Sequence, residues 1–477
     1  MGSPKGGTVS DMTVHPTHDD PVVAALSESV GGPMGSRAGR HRWWTPVRVL
    51  LALTAVTFAL GLLSKAPCAE TEWQDTAQRY SHMCYSDVPY LYSWRGFADL
   101  NWPYTDDEAV RAEFDVMEYP AGISYWAWGT GYVTWVLSGA PDLDDPARDL
   151  PREGTLYMAV NAVGFGAVAL LTTWLMAGVT RRRPWDAAGF ALAPMLALTA
   201  TINWDLLAVV FVAGAVWAWA RDRPVLTGVL IGVGTAVKLY PLFLLGAVLV
   251  VCLRRRRWRT LALTFAAAAA AWLLANAPAL LTGFEQWKVF WTFNSERGAD
   301  LGSLWLVAQQ MMGPDAWIEV DTINLVSWGF MALWCLGVLV LGLKAPVSPR
   351  FAQLGFLIVA GFLLVNKVYS PQYVLWLLPL AVLAHPRWRD LLIWQVGEVL
   401  YFGAIWFQLG GYLEPGDGQP SVIYWLAVVL RIAAQLWFVA MVVRGVVDPD
   451  RDPVGREAEP DPVRGPAGHE ARTPAPA

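Results

Sequence analysis

The stretch PWDAAGFALAPMLALTATINWDLLAVVFVAGAVWAWAR, residues 184–221, decides the fold. It is apolar on both sides of Asn203-Trp204-Asp205 and lies between two basic groups, Arg181 to Arg183 and Arg221 with Arg223. A bilayer core takes roughly 20 apolar residues to cross. Short cytoplasmic loops retain Lys and Arg. One crossing would put the two basic groups on opposite faces. Two slightly short helices joined by a polar tip keep both on one face, with Asn203 to Asp205 at the outer tip.

The same reasoning extends along the chain. Of its 477 residues 55% are hydrophobic and 16% are charged, with a mean hydropathy of +0.36. A soluble chain carries about 25% charged residues. Apolar runs recur from residue 47 to residue 444, and the composition excludes a soluble enzyme with peripheral decoration. Further basic groups at Arg37 to Arg48, Arg254 to Arg259, Lys344 with Arg350, Arg387 with Arg389, and Arg444 mark cytoplasmic ends. An even number of crossings then separates each pair. KLYP (Lys238 to Pro241) becomes a second outer tip and NKVYSPQY (366–373) a third. The fold class expected is an all-α polytopic membrane protein with about twelve crossings and both termini cytoplasmic.

Residues 47–65 lead out and residues 155–178 lead back, leaving 66–154 as a large first outer loop with 16 acidic and 5 basic residues. Inside it GISYWAWGTGYVTWVLSG (122–139) reads as a re-entrant or membrane-surface helix with interfacial aromatics. Residues 1–40 and 447–477 lack an apolar period and read as unstructured cytoplasmic tails around a transmembrane domain at 41–446. The first apolar run lacks a small-residue cleavage site and reads as an anchor.

This topology gathers the unusual polar groups on one face. Ionisable residues at membrane depth are costly and commonly line a cavity or a substrate path. Lys238 and Lys367 sit at helix breaks, each closely followed by a tyrosine, Tyr240 and Tyr369. With Arg95 and Arg297 they suit a phosphate at the bilayer surface; the plainer reading is that the lysines snorkel to the interface. Asp87, in CYSDVPYLY (84–92), and Asp205 are the carboxylates best placed for acid–base work. Trp94, Trp102 and Tyr119 offer faces for a sugar ring. Cys68 and Cys84 share the outer loop, either bridged or as two free thiols. The six histidines show no metal-ligand spacing, and no nucleotide motif or nucleic-acid footprint is present.

Taken together, CYSDVPYLYxxRG, EYP, NWD, KLYPL and NKVYSPQYxLWLLP resemble the integral-membrane glycosyltransferases of the GT-C superfamily over residues 45 to 445. The closest resemblance is to glycosyltransferase family 87 and its polyprenol-phosphate-mannose-dependent α-mannosyltransferase relatives. The resemblance implies a first outer loop with helices along the membrane, a lipid-linked sugar phosphate donor and a glycolipid or polysaccharide acceptor. It implies a carboxylate early in the loop as catalytic residue, which falls on Asp87. In place of two adjacent carboxylates, Asp87 stands alone between Ser86 and Val88. No cofactor is expected, and a divalent metal has no support in the residues. Lys238, Lys367 and Arg297 are expected to neutralise the phosphate, with Tyr240, Tyr369 and Gln372 as hydrogen-bond partners, Arg95 and Tyr119 nearby, and Asn203 and Asp205 on the sugar. The reaction expected is transfer of a sugar, mannose by the resemblance, with inversion, at the extracytoplasmic face of the plasma membrane. The competing class is a transporter of lipid-linked sugars; it calls for midplane breaks and related halves, whereas these breaks cluster outside and the halves differ.

Overall fold

A computed structural model describes residues 43–180, 183–313, 316–413 and 421–455. The expected tail at 1–40 and residues 456–477 of the tail expected at 447–477 lie outside the described residues. The chain divides at Val49 and Leu50. Of the first unit, residues 43–49 are described, where Arg48 donates to the Trp43 carbonyl at 3.1 Å. The rest concerns the second unit.

The described residues are helical, with no strand among them. Six helices are long and apolar enough to cross a membrane: Pro46–Leu63, Leu150–Val179, Trp258–Thr282, Val320–Lys344, Trp388–Leu409 and Val422–Val447. Four shorter apolar segments join them, Leu206–Trp219, Pro224–Val237, Phe351–Val365 and Pro371–Ala384. In the first loop, the 122–139 stretch is one continuous helix, Ala121–Leu137. It is preceded by short helices at Val88–Trp94 and Glu108–Glu113.

Each break has a local cause. Asn203 accepts the Asp205 backbone N–H on its side chain at 2.9 Å, an Asx turn that replaces a helical bond. Pro241 has no N–H, and its ring would meet the Val237 carbonyl in a continued helix, so Pro224–Val237 stops and Lys238 is extended (φ −152°, ψ 146°). Pro371 likewise holds Ser370 extended (ψ 154°). One expectation fails in detail. The half before Asn203 is three pieces, Pro184–Ala187, Ala188–Ala191 and Pro194–Thr199. Pro194 requires the extended Ala193 (ψ 124°) before it, so one short helix does not form there.

Close helix approach sets the core. Pro224–Val237 lies against Trp258–Thr282 through Gly228 and Gly232; a Cβ on Gly232 would lie 2.2 Å from the Ala268 carbonyl oxygen. Small residues four apart permit this crossing in a membrane. Fully buried within the bundle, Arg431 pairs with Glu398 at 2.7 Å.

The helix ends sort into two groups. Arg221 donates to the Gly178 carbonyl, Arg257 to Asp222, Arg254 to the Gly342 and Ala345 carbonyls, and Arg350 to the Ala384 carbonyl. The basic groups thus knit one end of the bundle. Arg350 also binds Asp452 at 2.8 Å, after a 3-10 turn at Pro449–Arg451. Order therefore reaches past residue 447, where the sequence places the start of the tail, because that carboxylate has a partner. The opposite end carries Asp87, Asn203, Lys238 and the 297–303 and 366–373 loops.

Candidate functional site: a polar cavity at one end of the bundle

The loop that carries Asp87 is docked by its backbone. Asp87 N–H donates to the Ile202 carbonyl at 2.7 Å and the Ser86 hydroxyl to the same oxygen at 3.1 Å. This sets the first loop against the Asn203 turn. A disulfide joins Cys68 to Cys84, three residues before Asp87, which settles the open pairing. On the other side, Asp300 N–H donates to the Lys367 carbonyl at 2.8 Å and Tyr369 N–H to the Leu301 carbonyl at 3.0 Å. Gly302 has φ +79°, and a Cβ there would lie 2.1 Å from the Tyr369 oxygen. Only glycine fits that clip.

Between these walls is a cavity of about 510 Å³ lined by Asp87, Arg95, Tyr119, Asn203, Lys238, Arg297 and Gln372, with a row of aromatic rings. Its volume lies within the usual range for ligand sites. Lys238 Nζ is 2.5 Å from an Asp205 oxygen and 4.5 Å from the centre of the Tyr119 ring. The Tyr119 hydroxyl donates to Asp87 Oδ2 at 3.4 Å and accepts from Asn203 Nδ2 at 3.4 Å. Asp87, Tyr119, Asn203, Lys238 and Asp205 are therefore one connected group.

Burial pushes the Asp87 carboxyl up to about 6, helped by the Asp205 charge and opposed by Tyr85, Lys238 and Tyr119. Burial also raises Tyr119 well above its ordinary range, and both aspartates add to that. Tyr119 thus stays a neutral donor toward Asp87. Arg95 pairs with Glu118 at 2.9 Å, and Arg297 with Asp300. Each cation keeps a position on the cavity wall.

Four residues expected at the site are not in its lining. Lys367 donates to the Ser295 carbonyl at 3.1 Å and to Asn324 Oδ1 at 2.8 Å. It fastens the 366–373 loop to the Phe284–Glu296 and Val320–Lys344 helices. Tyr240 is buried and stacks on Trp376 at 4.6 Å. Tyr369 is buried and donates to Gln435 Oε1 at 2.7 Å. Asp205 is wholly buried behind Lys238, and reaches the cavity only through it. Trp102 is stacked on Tyr125 at 5.5 Å, away from the cavity, whereas Trp94 lines it.

Two features escaped the sequence reading. Lys65, after the first apolar helix, is buried and donates to the Tyr85 carbonyl at 2.8 Å. Burial pushes it down to about 7, with the Asp87 charge opposing. Its position at a helix end is also that of an interfacial anchor. Arg431 donates to the Tyr369 carbonyl at 2.6 Å and the Ser370 carbonyl at 3.2 Å, holding the loop that presents Gln372. The signal existed: one arginine and one glutamate, each inside an apolar run, imply a partnered pair.

Among the described residues, no group of three His, Cys, Asp or Glu side chains is placed to hold a metal ion.

Residues 149–366 match the family model described as glycosyltransferase family 87. That stretch contains Asn203, Asp205, Lys238 and Arg297; Asp87 precedes it. No curated protein matches the chain. Over that stretch the chain is similar to glycosyltransferase family 87, and its six long apolar helices are those of a membrane protein.

Proposed function

We propose that the protein transfers a sugar, mannose in the first instance, from a polyprenyl phosphate to an acceptor hydroxyl at the extracytoplasmic face of the plasma membrane. The observation that carries this is the placing of Asp87 and Lys238 on one cavity, linked through Tyr119. A carboxylate titrating near 6 is ionised at neutral pH yet basic enough to take a proton.

The acceptor oxygen forms a bond to the anomeric carbon while its proton passes to Asp87. The bond from that carbon to the phosphate oxygen breaks on the opposite face, and its electron pair leaves on the polyprenyl phosphate. The configuration inverts. Lys238, Arg297 and Arg95 supply positive charge for the departing phosphate, and Asn203 and Gln372 supply hydrogen bonds. Lys367 has no part in this, since its ammonium is committed to the Ser295 and Asn324 oxygens. Asp205 holds Lys238 in place.

The test is Asp87→Asn in membranes given labelled polyprenyl-phosphate mannose. Transfer should fall about a hundredfold or more. Full transfer by the variant would remove Asp87 from the mechanism.

A further inference from the structure

A second cavity, of about 340 Å³, lies beside the first and shares Tyr90 and Trp94 with it. One side of it comes from the segment closed by the Cys68–Cys84 bridge, which supplies Glu72, Trp73, Gln74, Thr76 and Arg79. The other side comes from the start of the Leu150–Val179 helix. We propose that this second cavity is a saccharide subsite: it holds sugar units of a glycan acceptor whose terminal hydroxyl reaches Asp87. This rests on the transfer reaction proposed above.

The chemistry of the lining suits a sugar. It combines amide, hydroxyl, carboxylate and guanidinium groups with broad ring faces, the mixture that meets alternating hydroxyls and C–H faces. Gln74 and Thr76 are exposed, and Trp94 is 60% exposed. The Nε1–H of the buried Trp73 has no hydrogen-bond partner among the described residues. The path to Asp87 is aromatic. Trp94, Tyr90, Tyr85 and Tyr80 follow one another with ring centres 5.4, 5.8 and 6.3 Å apart, and Tyr85 and Tyr90 stand on either side of Asp87 in the chain.

The segment is also held in a costly shape. Glu72 and Trp73 are consecutive non-glycine residues with φ of 51° and 64°, a conformation disfavoured for side-chain-bearing residues. It is kept by the bridge, by Trp73 N–H to the Cys68 carbonyl at 2.8 Å, and by the Tyr90 hydroxyl to the Trp73 carbonyl at 2.9 Å. Arg79 then lies 4.9 to 5.9 Å from the rings of Tyr80, Tyr85 and Tyr90, which fixes the aromatic row.

The consequence is that the enzyme extends a saccharide and does not place a first sugar on a lipid or protein hydroxyl. The experiment uses the full chain in membranes, labelled polyprenyl-phosphate mannose and a crude envelope glycan extract as acceptor. The label should appear on an existing sugar residue of the product. In Trp94→Ala and in Gln74→Ala/Thr76→Ala, the acceptor concentration giving half-maximal labelling should rise about tenfold, more than the maximal rate falls. Label joined directly to a lipid or protein hydroxyl would overturn the subsite, as would unchanged acceptor dependence in both variants. A chain that transfers no label to any acceptor would instead overturn the reaction proposed above.

Discussion

At the scale of the residue, Asp87 is set apart by its surroundings and not by its motif. An aspartate in an acidic outer loop is ordinarily solvated, with a pKa near 3.9. Here the loop is pinned to the Ile202 carbonyl, and burial with the nearby Asp205 charge raises the carboxyl to about 6. A general base works only when ionised. The transfer rate at low acceptor concentration should therefore rise with pH through about 6 and level off above it. An inflection near 4 in that profile would show that Asp87 is solvated or is not the base. Lys238 gives a second prediction at this scale. Its ammonium rests against Asp205 and over Tyr119, so Lys238→Met leaves the wholly buried Asp205 charge without its partner. Activity should fall about a hundredfold, with a further loss of thermal stability because an unpaired buried charge remains. Lys238→Met/Asp205→Asn should recover the stability and not the activity. Thermal midpoints and transfer rates of the two variants separate these effects.

At the scale of the element, the breaks matter more than the helices. The loop at 366–373 faces the cavity with Gln372 because Arg431 takes the Tyr369 and Ser370 carbonyls while Glu398 neutralises Arg431. The central carbon of the guanidinium lies 3.4 Å from the centre of the Tyr369 ring and 4.2 Å from that of Tyr401. Lysine keeps the charge but cannot reproduce the planar fork that meets both carbonyls and Glu398. Arg431→Lys should fold and still lose affinity for the donor, read as a raised KM with a smaller change in kcat. Equal losses in both would assign the pair to stability alone. The breaks themselves were legible because proline and Asx chemistry act locally: NWD, KLYP and SPQY each stop a helix for a reason contained in a few residues. The direction in which each break points its lysine was not legible. Lys238 and Lys367 look alike in sequence, yet one faces the cavity and the other fastens Ser295 to Asn324. That difference depends on partners about 43 to 72 positions away in the chain, and long-range packing leaves no local mark.

At the scale of the whole molecule, the arginines carried the architecture. Their grouping implied that the polar breaks share one face, and the carbonyls and carboxylates that bind Arg221, Arg254, Arg257 and Arg350 lie at the end remote from the cavity. Hydropathy marked the six long spans for the same reason: in lipid, backbone groups must be satisfied within the helix. It was weaker for the 184–203 half, where proline divides the run into pieces too short to show a period. The proposed orientation rests on the positive-inside rule and can be checked directly. In a chain with Cys252 and Cys335 replaced by serine, the Cys68–Cys84 bridge leaves no native thiol. Ala109→Cys then places a thiol on an exposed helix of the first loop, and Arg256→Cys places one at an exposed turn of the arginine end. A membrane-impermeant maleimide should label the first in intact cells and the second only after the membrane is opened. The reverse pattern would put the cavity on the cytoplasmic side, where a polyprenyl-phosphate sugar presented at the outer leaflet could not reach it, and the proposed reaction would fail with it.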